Sequence, residues 1–384
     1  MTGGFTVAFR PVSDWEATGP TWQALAESDT GTPFFRSPEW MRTWMAHVPD
    51  RQRLVLFLAH EGVESVGAAM FYASRERTPL GVSQRVGHLQ RTGEKRCDAI
   101  TVEYAGPVAA QGRGRESFEA LLAAFAAGMP GWDCLDLPGL DDATAAMVEA
   151  RAKELGLWIV VTEDKPVYGV RLDRLGTQGG AYLAALGKNT RYQIRKSLRA
   201  LEAKGRVHAS EATSVEEAVA WFSRLVELHQ ASWQSRGQSG AFADPLTRRF
   251  HESLIVEAFA SGDISLFRAT AGDIEIGYLY NFKYNGTIYN YQAGMAIFDE
   301  PQIRPGLVAH YLAIEAARRD GFRHYDFMAG EAGHKPRMGE QTGRMRWLRL
   351  MRRGFVQDAE VLARYIKRWL AGDIRHKREE EAHG

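Results

Sequence analysis

A stripe of basic side chains on one predicted helix is the first feature of this sequence with evident chemistry. Lys188, Arg191, Arg195 and Arg199 are spaced three or four residues apart, which places them on one face of a helix. Such a stripe can hold phosphate oxygens, whether these belong to the pyrophosphate of coenzyme A, to a nucleotide-linked sugar or to a tRNA backbone. The alternative is a solvated face that pairs with acidic residues such as Glu202.

A second site for an anion is indicated where a helix begins after a strand. Pro305-Gly306-Leu307 starts a predicted helix whose apolar residues recur at helical spacing and which ends at Asp320-Gly321. The first N–H groups of a helix have no partner within it, and the helix dipole makes that end positive. We therefore expect an anionic ligand at this helix start.

The elements around this helix are predicted to form a sheet. Residues 264–269, 274–283 and 287–294 are rich in β-branched and aromatic residues, and glycine-containing turns separate them. They predict an antiparallel meander, and residues 324–328 return as a strand after the helix.

The same order of elements occurs twice. Leu56-Phe57-Leu58-Ala59 and Leu266-Phe267-Arg268-Ala269 each begin a predicted hairpin. In both halves an alanine-rich helical stretch then leads to a strand with a central aspartate, Asp136 in the first half and Asp326 in the second. The pattern predicts a tandem duplication with one α/β unit per half. We expect an N-terminal unit over 1–175, a C-terminal unit over 176–354, and a terminal helix with a charged tail over 355–384.

These motifs resemble the GNAT acyltransferase superfamily, and more closely its BioF2-like (CelD/BcsL-type) branch of polysaccharide-associated acetyltransferases, which is related to the FemAB peptidyl transferases. The resemblance rests on Pro305-Gly306-Leu307, the run from Gly321 to Asp326-Phe327, Gly330, Lys335, the segment from Lys188 to Lys196, and Trp233. It implies an α/β (α+β) fold of tandem GNAT-like units, each a mixed, largely antiparallel sheet flanked by helices. It also implies a degenerate first unit and an active site in the second.

Acyl transfer needs an oriented donor, a path for the acceptor's proton and hydrogen bonds to the oxyanion. The resemblance places this chemistry where the central strands separate. We expect three catalytic residues there. Tyr291 would be an acid for the leaving group or an orienting hydroxyl, Asp326 a base or a residue that binds a donor group, and Lys335 would stabilise the oxyanion or a donor phosphate. Each also has a structural interpretation, as a packed strand tyrosine, a loop-fixing aspartate like Asp136, and an exposed loop lysine.

The remaining candidates are binding residues. For the donor they are Lys188, Arg191, Arg195, Arg304, Gly306 and Leu307, and for the acceptor His229, Trp233, Arg236 and Gln292. His229 can equally be a packed histidine beside Trp233, and Gln292 and Tyr291 point to opposite faces of a regular strand. A second basic cluster adds weak support for a polyanionic ligand and comprises Arg344, Arg346, Arg349, Arg352 and Arg353. No metal ligands are expected.

The expected phosphate loop departs from the usual GNAT pattern. It keeps one glycine, Gly306, and Pro305 removes an N–H group. Acyl-CoA is the first expectation for the donor, and aminoacyl-tRNA, which Fem enzymes use without CoA, is the alternative. The expected product is an acylated amine or hydroxyl of a small molecule or a cell-surface polysaccharide precursor. A non-catalytic scaffold on the same fold is a third possibility.

The composition restricts the functional classes further. The chain has 384 residues, of which 45% are hydrophobic and 25% charged, and its formal net charge is +1. These values describe a globular protein of about two domains without a global attraction to nucleic acid or membranes. No segment has the roughly 18 apolar residues of a membrane span, and the N-terminus lacks a signal-peptide pattern. Two cysteines, Cys97 and Cys134, suit a reducing compartment, so we expect a cytoplasmic protein.

Overall fold

Segments rich in β-branched and aromatic residues pair side by side, and amphipathic segments pack on the resulting sheet as helices. The computed structural model describes residues 5–78, 81–176, 178–331, 333–354 and 357–358. The predicted terminal helix over 357–370, apart from its first two residues, and the predicted charged tail lie outside these ranges.

The described residues form thirteen strands in one sheet. The strands are β1 (Thr6–Pro11), β2 (Leu54–Glu61), β3 (Glu64–Arg77), β4 (Ser83–Leu89), β5 (Val108–Ala109), β6 (Cys134–Asp141), β7 (Trp158–Arg171), β8 (Val207–Glu211), β9 (Ile264–Ala271), β10 (Ile274–Tyr284), β11 (Thr287–Met295), β12 (His324–Ala329) and β13 (Glu340–Met351). The helices are α1 (Gly19–Ser28), α2 (Pro38–His47), α3 (Gly114–Ala126), α4 (Asp142–Glu154), α5 (Ala181–Ala185), α6 (Lys188–Glu202), α7 (Val215–Gln234), α8 (Pro245–Ala258), α9 (Pro305–Arg319) and α10 (Lys335–Met338).

The sheet runs in the order β1-β2-β3-β4-β6-β13-β7-β12-β11-β10-β9-β8, and β5 pairs with β3. Neighbouring strands are antiparallel except for two parallel pairs, β4 with β6 and β11 with β12. The unit β2-β3-β4-α3-β6 of the first half therefore repeats as β9-β10-β11-α9-β12 in the second. The predicted fold class, tandem units of a mixed, largely antiparallel sheet flanked by helices, is confirmed.

The two halves exchange strands at the centre of the sheet. Strand β13 of the second half lies between β6 and β7 of the first, and β7 pairs in turn with β12. Hydrogen bonds along these strands make the sheet continuous across the middle of the chain. Each half therefore depends on a strand of the other to cover an edge that would otherwise expose unpaired backbone groups.

Three elements differ from the sequence prediction. The sequence pattern of 181–204 predicts a single helix, but the structure breaks it into α5 and α6, because Leu186 and Gly187 adopt extended ψ angles of 152° and 147°. The patterns of 158–162 and 167–172 predict two short strands, which in the structure form one strand, β7. The arginine-rich segment before Gly354 is strand β13, which was not predicted, because its basic side chains alternate with buried apolar ones.

The apolar residues pack on both faces of the sheet. On one face, Leu307, Ile314 and other residues of α9 pack against Ile288 and Tyr325. On the opposite face the two halves share an aromatic core, in which the ring of Phe34 stacks on that of Phe282 with centroids 4.2 Å apart. The second half is therefore fixed against the first by packing as well as by strand pairing.

An ion pair also joins the halves where β13 meets β6. Arg349 donates two hydrogen bonds to the Asp136 carboxylate, at 2.6 and 2.7 Å, and reaches Glu76 at 3.0 Å. Burial alone would raise the pKa of Asp136, but the hydrogen bonds from Arg349 and His88 hold that pKa well below its ordinary range. Asp136 is thus an ionised carboxylate whose charge is balanced by Arg349, and its role is structural.

Replacing Arg349 with alanine should destabilise the protein by about 3 kcal/mol, because it leaves two carboxylates in a largely buried position without their cation. The measurement is urea unfolding followed by circular dichroism. Arg344→Ala is the matched control on the same strand: its pair with Asp164 is 39% exposed on both sides, so we expect a loss below about 1 kcal/mol. Equal losses in the two variants would show that the Arg349 pair does not tie the halves together.

Candidate active site

The central parallel strands separate soon after they meet. Strand β11 pairs with β12 only through Thr287, Ile288 and Tyr289, which face His324, Tyr325 and Asp326. Both strands continue beyond this point, β11 to Met295 and β12 to Ala329. The parallel ladder therefore opens into a gap directly after Asp326, at the place where the resemblance located the site.

Both strands are irregular where the gap begins. In β11, Asn290 and Gln292 pair with consecutive residues of β10, so Tyr291 is the extra residue of a bulge. In β12, the register with β7 shifts between Asp326 and Ala329, and Met328 adopts a left-handed φ of 63°. At these irregularities some backbone N–H and C=O groups lose their partners on the neighbouring strand, so side chains have to form hydrogen bonds with them.

Asp326 lies at the start of this irregular segment and is 2% exposed. Its Oδ1 accepts a hydrogen bond from the backbone N–H of Met328 at 2.6 Å, and its Oδ2 accepts one from the hydroxyl of Tyr104. Burial raises the pKa of Asp326, and it also raises that of Tyr104. Both carboxylate oxygens of Asp326 are therefore engaged in the described structure.

Two further ionisable groups meet the end of β12. Glu103, which is 5% exposed, accepts a hydrogen bond from the N–H of Ala329 at 2.9 Å. The Lys335 ammonium donates to the carbonyls of Met328 and Ala329, at 3.1 and 2.7 Å. Burial raises the pKa of Glu103 to about 7 and lowers the pKa of Lys335. Asp326, Glu103 and Lys335 thus form one partly desolvated cluster around the backbone of Met328 and Ala329.

Tyr291, by contrast, is engaged in the aromatic core. Its ring packs against those of Phe35, Phe282 and His251, and its hydroxyl lies 3.1 Å from Nε2 of His251. Burial raises the pKa of Tyr291, which keeps the hydroxyl protonated. Gln292, the next residue of β11, is half-buried and pairs with Tyr280 of β10.

The residues predicted to bind the donor are arranged around the start of α9. Ser197 of α6 donates to the Gln302 carbonyl at 2.7 Å and accepts from the N–H of Arg304 at 3.0 Å. This contact holds the basic stripe of α6 beside the α9 N-terminus, where Gly306 and Leu307 occupy the first turn. Arg304 is exposed there, and Arg191 donates to the Ala184 carbonyl at 3.0 Å.

The stripe on α6 is not neutralised within the described chain. No carboxylate of the described residues lies within 4.0 Å of the side-chain nitrogens of Lys188, Arg191, Arg195 or Arg199. Glu202, which offered an intramolecular partner, therefore does not pair with them here. The second basic cluster is different: Arg344 and Arg346 pair with carboxylates, Arg349 with Asp136, and Arg352 with Asp133. Four of its five arginines are thus paired within the chain, which reduces its support for a polyanionic ligand; Arg353 instead donates to the Gly156 carbonyl.

The residues predicted for the acceptor form a separate group at the end of α7. The His229 ring lies 5.7 Å from that of Trp233 and 5.1 Å from that of Phe242, and the Arg236 guanidinium stacks over Trp233 at 4.6 Å. Burial lowers the pKa of His229. These contacts describe a packed histidine and a stacked arginine, and they hold the end of α7 against the following loop.

The two repeated aspartates have opposite environments. Asp136 of β6 pairs with His88 of β4, just as Asp326 of β12 pairs with Tyr289 of β11. Asp136 is held by Arg349, whereas Asp326 accepts hydrogen bonds from a hydroxyl and a backbone N–H. Glu76, His88 and Asp136 bring ligand atoms within 4.8 Å of one another, but Arg349 bonds both carboxylates and opposes a metal ion there.

A cleft of about 420 Å³ opens on the sheet face opposite α9. Tyr104, Tyr289 and Asp326 line it, together with Arg171 and Arg323 among others. Tyr289 and Asp326 alternate along their strands with Ile288 and Tyr325, which face α9. This cleft and the N-terminus of α9 therefore lie on opposite faces of the central strands.

Sequence reasoning missed Glu103 and Tyr104, which come from the first half. The only local signal was an acid inside an otherwise apolar run, Val102-Glu103-Tyr104-Ala105. Nothing in that run indicates that it crosses to β12, because the contact depends on how the two halves pack.

Comparison with protein families identifies the second half. Residues 188–336 match the family model described as an acetyltransferase (GNAT) domain, a span that runs from the first residue of α6 to just past Lys335. This segment of the chain is a GNAT domain. A search among curated protein sequences found no match. The GNAT assignment covers the stripe, the α9 start, Asp326 and Lys335, but not Glu103 or Tyr104.

Solved structures extend the likeness to both halves. The crystal structure of FemX has a TM-score of 0.56 at 11% identity, covering 88% of this chain and 96% of that one. L-PGS from Bacillus licheniformis has a TM-score of 0.51 at 11% identity, covering 92% and 96%. The C-terminal domain of a candidate lysylphosphatidylglycerol synthetase from Agrobacterium fabrum has a TM-score of 0.51 at 10% identity. The match covers 90% of this chain and 95% of that one. At these identities the likeness shows a shared fold.

No helix in the described part of the chain combines the length and the apolar character that a membrane crossing requires.

The raised pKa of Glu103 predicts a pH-dependent stability. A carboxyl whose pKa rises from 4.5 to about 7 on folding favours the folded state below pH 4.5, and that contribution is lost as the pH rises to about 7. The loss amounts to about 3 kcal/mol. Glu103→Gln keeps an acceptor for the Ala329 N–H but does not titrate. The stability of this variant relative to wild type should therefore increase between pH 5 and pH 8.

The measurement is the free energy of unfolding in urea at several pH values for both proteins. Glu64→Gln, which changes an exposed carboxyl at the start of β3, is the control and should show a difference that is constant with pH. A constant difference for Glu103→Gln as well would refute the unusual ionisation of Glu103.

Proposed function

We propose that this GNAT protein is a cytoplasmic N- or O-acyltransferase of the BioF2-like branch, with acyl-CoA as its donor. The acceptor would be the amine or hydroxyl of a small molecule or of a cell-surface polysaccharide precursor. The single observation that carries the proposal is the gap between β11 and β12. It opens after Asp326, and its β11 side ends at Met295, which lies beside the helix start at Gly306.

The donor phosphates are assigned to the α9 N-terminus. Pro305 has no N–H and Val308 donates to the Arg304 carbonyl, so the N–H groups of Gly306 and Leu307 have no partner within the helix. A Cβ at Gly306 would meet nothing closer than Met295 Cγ, at 3.9 Å. The fold thus does not require glycine at 306, and its bare backbone leaves room for a ligand. The stripe on α6 supplies positive charge beside it.

The acyl carbonyl is assigned to the gap, near the end of β12. Lys335 is held there by two backbone carbonyls, and its ammonium has three N–H bonds, so one remains for a developing oxyanion. The acceptor would approach through the cleft on the opposite face, whose wall includes Tyr104 and Asp326. Donor and acceptor would then meet at the central strands without competing for one entrance.

A second donor, aminoacyl-tRNA, is favoured by one specific observation. The α6 stripe has no carboxylate partner in the described chain, and Arg337 of α10 contacts Gln193 on the same helix, which extends the basic surface. Fem enzymes, which this chain resembles, take an amino acid from aminoacyl-tRNA, and the missing N–H at Pro305 weakens a pyrophosphate site. A Fem-type aminoacyl or peptidyl transferase is therefore the alternative function.

Calorimetric titration with acetyl-CoA, longer acyl-CoAs and free CoA tests the donor. We expect micromolar binding that becomes roughly ten- to hundredfold weaker in Arg191→Ala and in Arg195→Ala, because each removes a charged hydrogen-bond donor to phosphate. Arg115→Ala is the matched control: it removes an exposed arginine from α3, the counterpart of α9 in the first half, and should leave binding unchanged.

No binding of any CoA compound, together with tRNA binding that weakens steeply with salt, would replace the acyl-CoA proposal with the Fem-type alternative. Absence of both would contradict an acyltransferase function and favour a scaffold.

A further inference from the structure

One loop of the first half enters the centre of the second. The segment after Ile100 carries Glu103 and Tyr104 across to β12, where Glu103 accepts from the N–H of Ala329 and Tyr104 donates to Asp326. The GNAT match begins only at residue 188, so this contact brings groups from outside the matched domain to its candidate reaction centre.

The loop is held in this position by its own set of contacts. The Arg36 guanidinium donates to the carbonyls of Tyr104 at 2.8 Å and of Pro107 at 3.2 Å. Tyr104 has a φ of 55°, a left-handed conformation that costs energy for a residue with a Cβ. A Cβ at Gly139 would lie 2.9 Å from Cα of Glu103, so β6 also leaves space for the loop. A strained residue held by several contacts indicates a required position.

Glu103 differs from Asp326 in its free acceptor capacity. Both oxygens of Asp326 accept hydrogen bonds, whereas Oε1 of Glu103 accepts none from the described residues. The charged and titratable groups that face Glu103 are Lys335, Asp326 and Lys165, with Tyr291 beyond them. Lys335 and Lys165 favour its ionised form, and Asp326 and burial oppose it. The result is a carboxyl that can exchange a proton near neutral pH.

We infer that the first half supplies the proton acceptor of the transfer reaction: Glu103 takes the proton of the acceptor's nucleophile at the end of β12, and Tyr104 is the residue that positions Asp326. The inference rests on the proposed function. In the step, the nucleophile forms a bond to the acyl carbon and gives its proton to the Glu103 carboxylate. The bond from the acyl carbon to the donor's leaving atom breaks with its electron pair. That atom then receives a proton, either from Glu103 directly or from solvent to which Glu103 releases its own, and in both cases the carboxylate is regenerated.

The test uses water as the acceptor, so that the natural acceptor need not be known. The slow hydrolysis of acetyl-CoA, or of the aminoacyl-tRNA that binds in its place, is followed from pH 5 to pH 9 on the full chain. For wild type we expect kcat to fall below about pH 7, since Glu103 must be ionised. Glu103→Gln should lose this acidic limb and be roughly a hundredfold to ten-thousandfold slower at pH 8.

Tyr104→Phe tests the positioning residue. It should lower kcat by roughly tenfold, leave the donor KM unchanged and keep an acidic limb. The matched control is Tyr72→Phe, which changes a buried tyrosine of the first half whose hydroxyl has no hydrogen-bond partner among the described residues. It should leave kcat, KM and the pH profile unchanged.

A second readout needs no turnover. A donor carbonyl placed beside Glu103 excludes water from it, so wild type should take up a proton when the donor binds at pH 7. Calorimetry in two buffers of different ionisation enthalpy measures this uptake, and Glu103→Gln should lack it. An acidic limb and a proton uptake that both persist in Glu103→Gln overturn the inference while the proposed function stands. Failure of every donor to bind overturns the proposed function instead.

Discussion

The backbone of β12 beyond Asp326 has to be satisfied without β11 beside it, and much of the site follows from that requirement. Once β11 has separated, the N–H groups of Met328 and Ala329 and their carbonyls face a partly buried region, where unpaired polar groups are costly. Side chains take the place of the missing strand: Asp326 and Glu103 accept from the N–H groups, and Lys335 donates to the carbonyls. Ionisable groups are thereby concentrated at the point where β11 and β12 separate.

The tandem architecture explains why only one half carries this cluster. Both halves place an aspartate at the same point of a parallel strand pair, but Arg349 from the exchanged strand β13 neutralises Asp136. Among the described residues Asp326 has no such arginine, and a loop of the first half reaches it instead. In the first copy an arginine lowers the pKa of the aspartate, whereas in the second copy burial raises the pKa values of Asp326 and Glu103. The first half contributes Glu103 to this second cluster as well as packing against it.

Sequence patterns predicted the repeated units, the helix at Pro305 and the strand that carries Asp326, because local periodicity and turn residues encode these features. They did not predict β13 as a strand, since its arginines obscured the alternation with buried residues such as Met345 and Leu350. The position of Glu103 in the site could not be predicted for a different reason. It depends on a contact with Ala329, which is 226 residues away in the sequence. Of the three predicted catalytic residues, Asp326 and Lys335 meet at the end of β12, while the hydroxyl of Tyr291 is paired with His251. Contacts between halves depend on tertiary packing, which a single sequence does not reveal.

The most direct test of this account is a crystal structure of the protein with a non-hydrolysable analogue of its donor, such as a thioether analogue of acetyl-CoA. We expect the phosphates at the N-terminus of α9 and the acyl group between β11 and β12, with its carbonyl oxygen within hydrogen-bonding distance of Lys335 and its carbon facing Glu103. An analogue bound with its acyl group elsewhere, for example at the start of α3 in the first half, would contradict the assignment of the reaction to the end of β12.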